Sequence, residues 1–291
     1  MPIIENDRPS KKKWILPSLL LCALAGLLLA YLMMGAKTAH DWADKGSNLA
    51  KEGKQQEALE CFKTAVAYAP TNKMLLSNLS SQYYKLGDYE NCSNVCVKSM
   101  LVNDPKNPDP DDVIAEYTAH LAYEKSGQFK KAIEDGNLLI SKRPNAAKAY
   151  AWRAWAYDKN KQYDKAIEDY NKAIGLCTKN EKKSAMYWNC AIVHYHAAQY
   201  QKGIDDTNKA IELKQPESFR WSFLGILYAR ASQYEKALEF YNKAIKADPK
   251  NGYYYHCRAV MNGNLGKSEL SSADETKAKE LGFRAEQMTP D

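Results

Sequence analysis

The stretch from Ser218 to Asn251, SFRWSFLGILYARASQYEKALEFYNKAIKADPKN, constrains the fold more than any other part of the chain. Trp221, Leu224, Gly225 and Tyr228 recur at spacings that place them on one face of a helix. A polar break at Ser232–Gln233 follows. Tyr234, Ala237, Tyr241 and Ala244 then form a second helical face, which Asp248–Pro249 stops. Bulky residues on the first helix meet small ones on the second, giving a close antiparallel pair. One such pair cannot bury its apolar faces alone, so the chain must hold further copies.

Those positions fill every slot of the pattern W-x2-L-G-x2-Y…A-x3-F…P, with Tyr241 in place of Phe. The stretch therefore resembles a tetratricopeptide repeat. The same spacing recurs through the chain. His40 to Pro70 carries Trp42, Gly46, Leu49, Ala58, Phe62 and Ala65. Lys73 to Asp104 carries Leu76, Leu79, Tyr83, Cys92 and Cys96 and is looser. Val113 to Pro144 carries Ala119, Tyr123, Phe129, Ala132 and Leu139, with Gly136 where an aromatic is usual, a place for close helix approach. Ala147 to Asn180 and Ser184 to Glu217 follow, separated by a short insertion around Lys179 to Lys183. Gly252 to Ala285 is a degraded last copy, whose polar second helix suits a terminal cap. The reading is all-α: a right-handed α-solenoid of helix–turn–helix repeats, about six plus a cap, over residues 39–285, with a tail at 286–291.

Asp104 to Asp112, DPKNPDPDD, interrupts the rhythm. It lacks the spacing and glycine of a calcium loop and reads as a rigid insertion whose acids cap the helix starting at Val113.

Trp14 to Met34 carries no charge. At about 1.5 Å per residue it spans roughly 30 Å, the thickness of a bilayer core. The sequence thus predicts one transmembrane helix at 14–34, a signal anchor, before a linker at 35–38. Arg8 and Lys11–Lys13 precede it, so residues 1–13 are expected in the cytoplasm and the repeats in the periplasm or another exoplasmic space. Cys22, Cys61, Cys92, Cys96, Cys177, Cys190 and Cys257 follow no CxxC or zinc spacing and read as small packing residues, with a disulfide or two left open.

The net charge of +6 is mixed in sign along the chain and marks no nucleic-acid-binding face. No Gly-rich phosphate loop, GxSxG or HExxH is present, so no enzyme and no cofactor is expected. His194 and His196 lie two apart and face different sides of a helix; no metal site is expected.

The resemblance implies a concave groove lined by the first helices of successive pairs. The first-helix residues not used within a pair are Tyr117, Leu121, Lys148, Trp152, Trp155, Trp188, Asn189, Ile192, Tyr195, His196, Phe219, Phe223, Ile226, Arg230, Tyr253 and His256. Aromatics of this kind dominate binding hot spots. The expected role is a membrane-anchored scaffold or adaptor that binds a peptide segment or protein partner there. The alternatives are a self-associating structural scaffold, or an organelle-surface receptor or co-chaperone facing the cytosol. The chaperone-tail clamp known in the family is largely missing: Asn78 fits, but Ala43, Ser47, Ile114 and Thr118 do not supply its basic and amide groups.

Overall fold

A computed structural model describes residues 37–102, 113–214 and 217–284. Among them every regular element is a helix. The chain divides into two compact units, Met1–Gly127 and Gln128–Asp291.

The first unit holds α1 (37–51), α2 (Gln55–Tyr68), α3 (Lys73–Lys85), α4 (Tyr89–Leu101) and α5 (Val113–Ser126). Its core joins Ala39 and Ala43 of α1 to Ala58, Leu59, Phe62 and Ala65 of α2 and to Leu75, Leu76 and Leu79 of α3. Asn72 caps α3 by accepting from the Met74 and Leu75 amides, and Asp88 caps α4 through the Asn91 amide. Buried Gln82 of α3 donates to the Gln55 carbonyl at 2.7 Å and to its side-chain oxygen at 2.8 Å, tying α3 to the start of α2.

The second unit holds α6 (Phe129–Lys142), α7 (Ala147–Lys159), α8 (Tyr163–Leu176), α9 (Asn180–His196), α10 (Tyr200–Leu213), α11 (Ser218–Arg230), α12 (Tyr234–Ala247), α13 (Gly252–Asn264) and α14 (Ser268–Glu280). Each helix packs on the next, so the unit is a solenoid of antiparallel neighbours. Small residues with no exposed surface, Ala154, Ala166, Ala173, Ala210, Ala237 and Ala244, let the backbones close in, and Tyr170 and Tyr241 fill the space they leave. Gly136 of α6 is a site of close approach: a Cβ there would stand 2.7 Å from the Arg153 Cβ and 3.1 Å from its Cα.

The turn inside each helix pair ends on one residue in the left-handed region. Gly53, Gly87, Gly127 and Gly266 take it in four turns; Lys161, Ala198 and Ser232 take it at φ of 58°, 55° and 59° in three others. A side chain there strains the backbone, and the register of the following helix holds it in place.

Four expectations are altered or completed. Residues 37 and 38, assigned to a linker, already belong to α1. The short insertion near Lys179–Lys183 is helical: it lengthens α9 to 17 residues, against 13 for α7, α11 and α13. None of the six cysteines among the described residues is in a disulfide, so the bridges left open do not form there. The expected location, a single-pass protein with its repeats outside the cytoplasm, is overturned: among the described residues no helix is long and apolar enough to cross a membrane. Even long α9 carries Glu181, Lys182 and Lys183. The stretch Trp14–Met34, residues 1–13 and the acidic segment before Val113 lie outside the described residues.

Candidate partner-binding face

In the second unit, α9 and α11 bring the largest set of expected groove residues together. The Trp188 ring lies edge-on to Phe219 at 5.1 Å and tilted against Phe223 at 5.0 Å. Tyr195 meets Phe223 at 5.8 Å and His196 at 5.9 Å. Arg230 donates to the Tyr195 hydroxyl at 3.3 Å, which raises the Arg230 pKa and keeps the guanidinium charged. His196 reaches back to α7, its Nδ1 2.8 Å from a carboxylate oxygen of Asp158. Phe219 is 41% exposed, Trp188, Tyr195 and Phe223 are half-buried, and Arg230 and His196 are exposed. These rings therefore pack on one another and still face solvent. Asn189, Ile192 and Ile226 are half-buried on the same two helices, and Ile226 packs toward the α12 core.

The remaining expected residues divide. Trp152 does not reach the surface: it is 4% exposed and its indole N–H donates to the Ala132 carbonyl at 3.3 Å. It tilts against Trp155, which also meets Phe129 edge-on, so this pair joins α7 to α6. Lys148 is half-buried. Tyr253 and His256 lie against Phe283 at 5.9 and 4.8 Å, and His256 Nδ1 stands 2.9 Å from a Glu275 oxygen, so the segment after α14 covers them. Tyr117, 64% exposed, and half-buried Leu121 belong to the first unit.

A second arrangement recurs between the helix pairs. Arg153 of α7 donates through Nε and Nη2 to both carboxylate oxygens of Asp169 on α8, 2.7 Å each, and through Nη1 to Asn137 on α6 at 2.8 Å. Its guanidinium lies between the Tyr150 and Tyr157 rings. Arg258 of α13 repeats the geometry with Asp274 on α14 at 2.8 and 2.6 Å, with Asn242 on α12 at 2.6 Å, and over the Tyr255 ring. Hydrogen bonding to the carboxylate raises the pKa of each arginine, so both stay charged. In α9–α10 the same slot holds Cys190 and Asp206, with His194 one turn beyond. The ligand atoms of these three buried residues lie within 4.8 Å of one another. Burial first, and the Asp206 carboxylate second, push the Cys190 thiol up; burial pushes the His194 imidazole down. From sequence, His194 is weighed only against His196, and Cys190 is assigned to packing. The available signal was the one-turn C-x3-H spacing.

Residues 147–180 and 219–251 match the tetratricopeptide repeat family, and residues 42–72 match a second form of that repeat. No curated protein matches the sequence. Among solved structures, a tetratricopeptide repeat protein from Parabacteroides merdae ATCC 43184 is similar at 18% identity and a TM-score of 0.54, over 86% of this chain and 95% of that one. A MamA RS-1 ArsTM double mutant is similar at 18% identity and a TM-score of 0.50, over 60% of this chain and 96% of that one. At such identities the likeness shows the fold alone.

Proposed function

We propose that this chain, which carries tetratricopeptide repeats at residues 42–72, 147–180 and 219–251, is a protein-interaction scaffold whose α9–α11 face holds a peptide segment of its partner. The observation that supports this reading most is the cluster of Trp188, Tyr195, Phe219 and Phe223, rings that pack on one another yet stay partly open to solvent. Rigid aromatic surface of this kind binds at low entropic cost. Exposed Arg230 beside Tyr195 adds a positive charge at the edge of the cluster. The occupant that suits both is an extended segment pairing apolar side chains with an acidic residue.

A peptide-display selection on the full chain tests this. Recovered peptides should combine apolar and acidic residues. Their affinity should fall at least ~10-fold in Trp188→Ala/Phe219→Ala, which removes about 1–2 kcal/mol or more of hot-spot contact, with helix content unchanged by circular dichroism. Peptides that bind the double variant as well as the parent chain would overturn the assignment of the face. Trp152 is not a suitable probe, because its buried indole supports α6–α7 packing.

A further inference from the structure

Three helix pairs of the second unit place a buried carboxylate at the same position of the second helix, and only two of them provide it with an arginine. Asp169 and Asp274 are each clasped by both oxygens, by Arg153 and Arg258. Asp206 of α10 is 9% exposed, and the arginine slot opposite it on α9 is Cys190. What surrounds Asp206 instead is His194, with Nε2 3.5 Å from Oδ2, and Lys209, with Nζ 3.5 Å from Oδ1. The lysine side chain is 52% exposed and sits at the edge, a weak substitute for a bidentate guanidinium.

The imidazole orientation sharpens the point. His194 Nδ1 faces the side-chain oxygen of Gln199 at 3.1 Å. An amide oxygen only accepts, so Nδ1 carries a hydrogen, and in the neutral imidazole Nε2, on the carboxylate side, is the nitrogen left with the lone pair a metal ion would take. A lone pair, a carboxylate oxygen and a thiol then converge where the sister pairs hold a cation.

We propose that Cys190, His194 and Asp206 bind a zinc-class divalent transition-metal ion that takes the place of the missing arginine. The donor set is sulfur, imidazole nitrogen and carboxylate oxygen, which suits zinc or its analogues and not calcium or magnesium, whose ligands are oxygens. Bond lengths of ~2.0–2.3 Å put tetrahedral ligand atoms roughly 3.3–3.8 Å apart. The mutual distances are all within 4.8 Å, and His194 Nε2 already stands 3.5 Å from Asp206 Oδ2, so the side chains need close by at most about 1 Å. Charge balances: binding releases the thiol proton to solvent, and one thiolate plus one carboxylate neutralise the dication, as the guanidinium and carboxylate neutralise each other in the sister pairs. Gln199 then acts as a positioning residue, fixing the tautomer through Nδ1. The role is structural, a metal clip between α9 and α10.

The test is cobalt(II) titration of the full chain after chelator treatment, followed by thermal unfolding with and without zinc. One equivalent of cobalt should produce thiolate-to-metal charge-transfer absorption, and zinc should raise the melting temperature. Cys190→Ser and Asp206→Asn should weaken binding at least ~100-fold, and Gln199→Ala by about 10-fold. Cys190→Arg copies the sister slot. It should fold, bind no cobalt and melt at the same temperature with or without zinc. No charge-transfer band in the parent chain would overturn the proposal. So would an undiminished band in Cys190→Ser, because the thiolate would then be another of the chain's cysteines.

Discussion

The pairs α7–α8 and α11–α12 share one backbone plan and fill its central slot with opposite chemistry. In α7–α8 the guanidinium of Arg153 lies between the Tyr150 and Tyr157 rings and bonds Asp169. In α11–α12 the corresponding positions are Leu224 and Phe240, and the Phe240 ring stacks on Tyr228 at 5.2 Å and on Trp221 at 5.9 Å. Lys243 caps the stack, 4.5 Å over Phe240. The flanking rings are constant in kind, while the layer between them is ionic in one pair and apolar in the other. The repeat thus specifies a volume and a flat surface at this slot, not a polarity. An ion pair is acceptable there only when both partners are present, because one stranded member loses its compensation in a poorly solvated place.

The largest expected effect follows from stranding one partner. Asp169→Ala should destabilise the chain by about 2–4 kcal/mol, at or below the range for a fully buried pair because Arg153 keeps some contact with water. Denaturant unfolding measures it. Replacing both residues after the α11–α12 pattern, Arg153→Leu with Asp169→Phe, should recover most of the loss. A double variant no better than the single would break the claim that the two chemistries are interchangeable.

Next in size is Gly136→Ala. The added Cβ would press on the Arg153 Cβ and Cα and push α7 off α6, at a cost of about 1–3 kcal/mol despite the gain in helix propensity. The atoms pressed on, Cα, Cβ and Cγ of residue 153, are common to arginine and leucine, so the same substitution should cost as much in the background of Arg153→Leu. A clearly smaller cost there would show that the guanidinium clasp, not the close approach of the helices, demands the glycine.

The smallest effect concerns the turns. Ala198 holds a left-handed conformation that Gly127 and Gly266 occupy elsewhere. Ala198→Gly should stabilise by about 0.5–1 kcal/mol, the relieved strain exceeding the added freedom of the unfolded chain. A lower melting temperature in that variant would show the strain to be absent.

The helix pairs were legible in the sequence because their signal is local: Trp221, Leu224, Gly225 and Tyr228 fall on one face by spacing alone. Which side of a first helix meets solvent was not local. Trp152 and Trp188 read alike, yet one lies against α6 with its N–H on a main-chain carbonyl and the other stays half open. The difference is made by neighbours, not by either helix. The arginine clasps were missed for a related reason. Asn137, Arg153 and Asp169 stand 16 residues apart on three helices, a spacing no single-helix pattern displays. The added turn of α9 shows in the sequence only as a short insertion, because it is polar and carries no apolar repeat that would mark it as helix.

Each clasp spans three successive helices, since the arginine holds its own partner on one side and an asparagine of the preceding pair on the other. Compliance along the second unit should therefore be uneven. The segments α6–α8 and α12–α14 are riveted by bidentate ion pairs and must loosen as blocks, while in α9–α11, which carries the open aromatic rings, buried Arg220 of α11 reaches the neutral Ser184 hydroxyl of α9 and Ala210 carbonyl of α10, a weaker tie than a clasped carboxylate. Amide hydrogen exchange should find its fastest collective breathing there, giving the proposed partner face room to adjust between two stiff abutments.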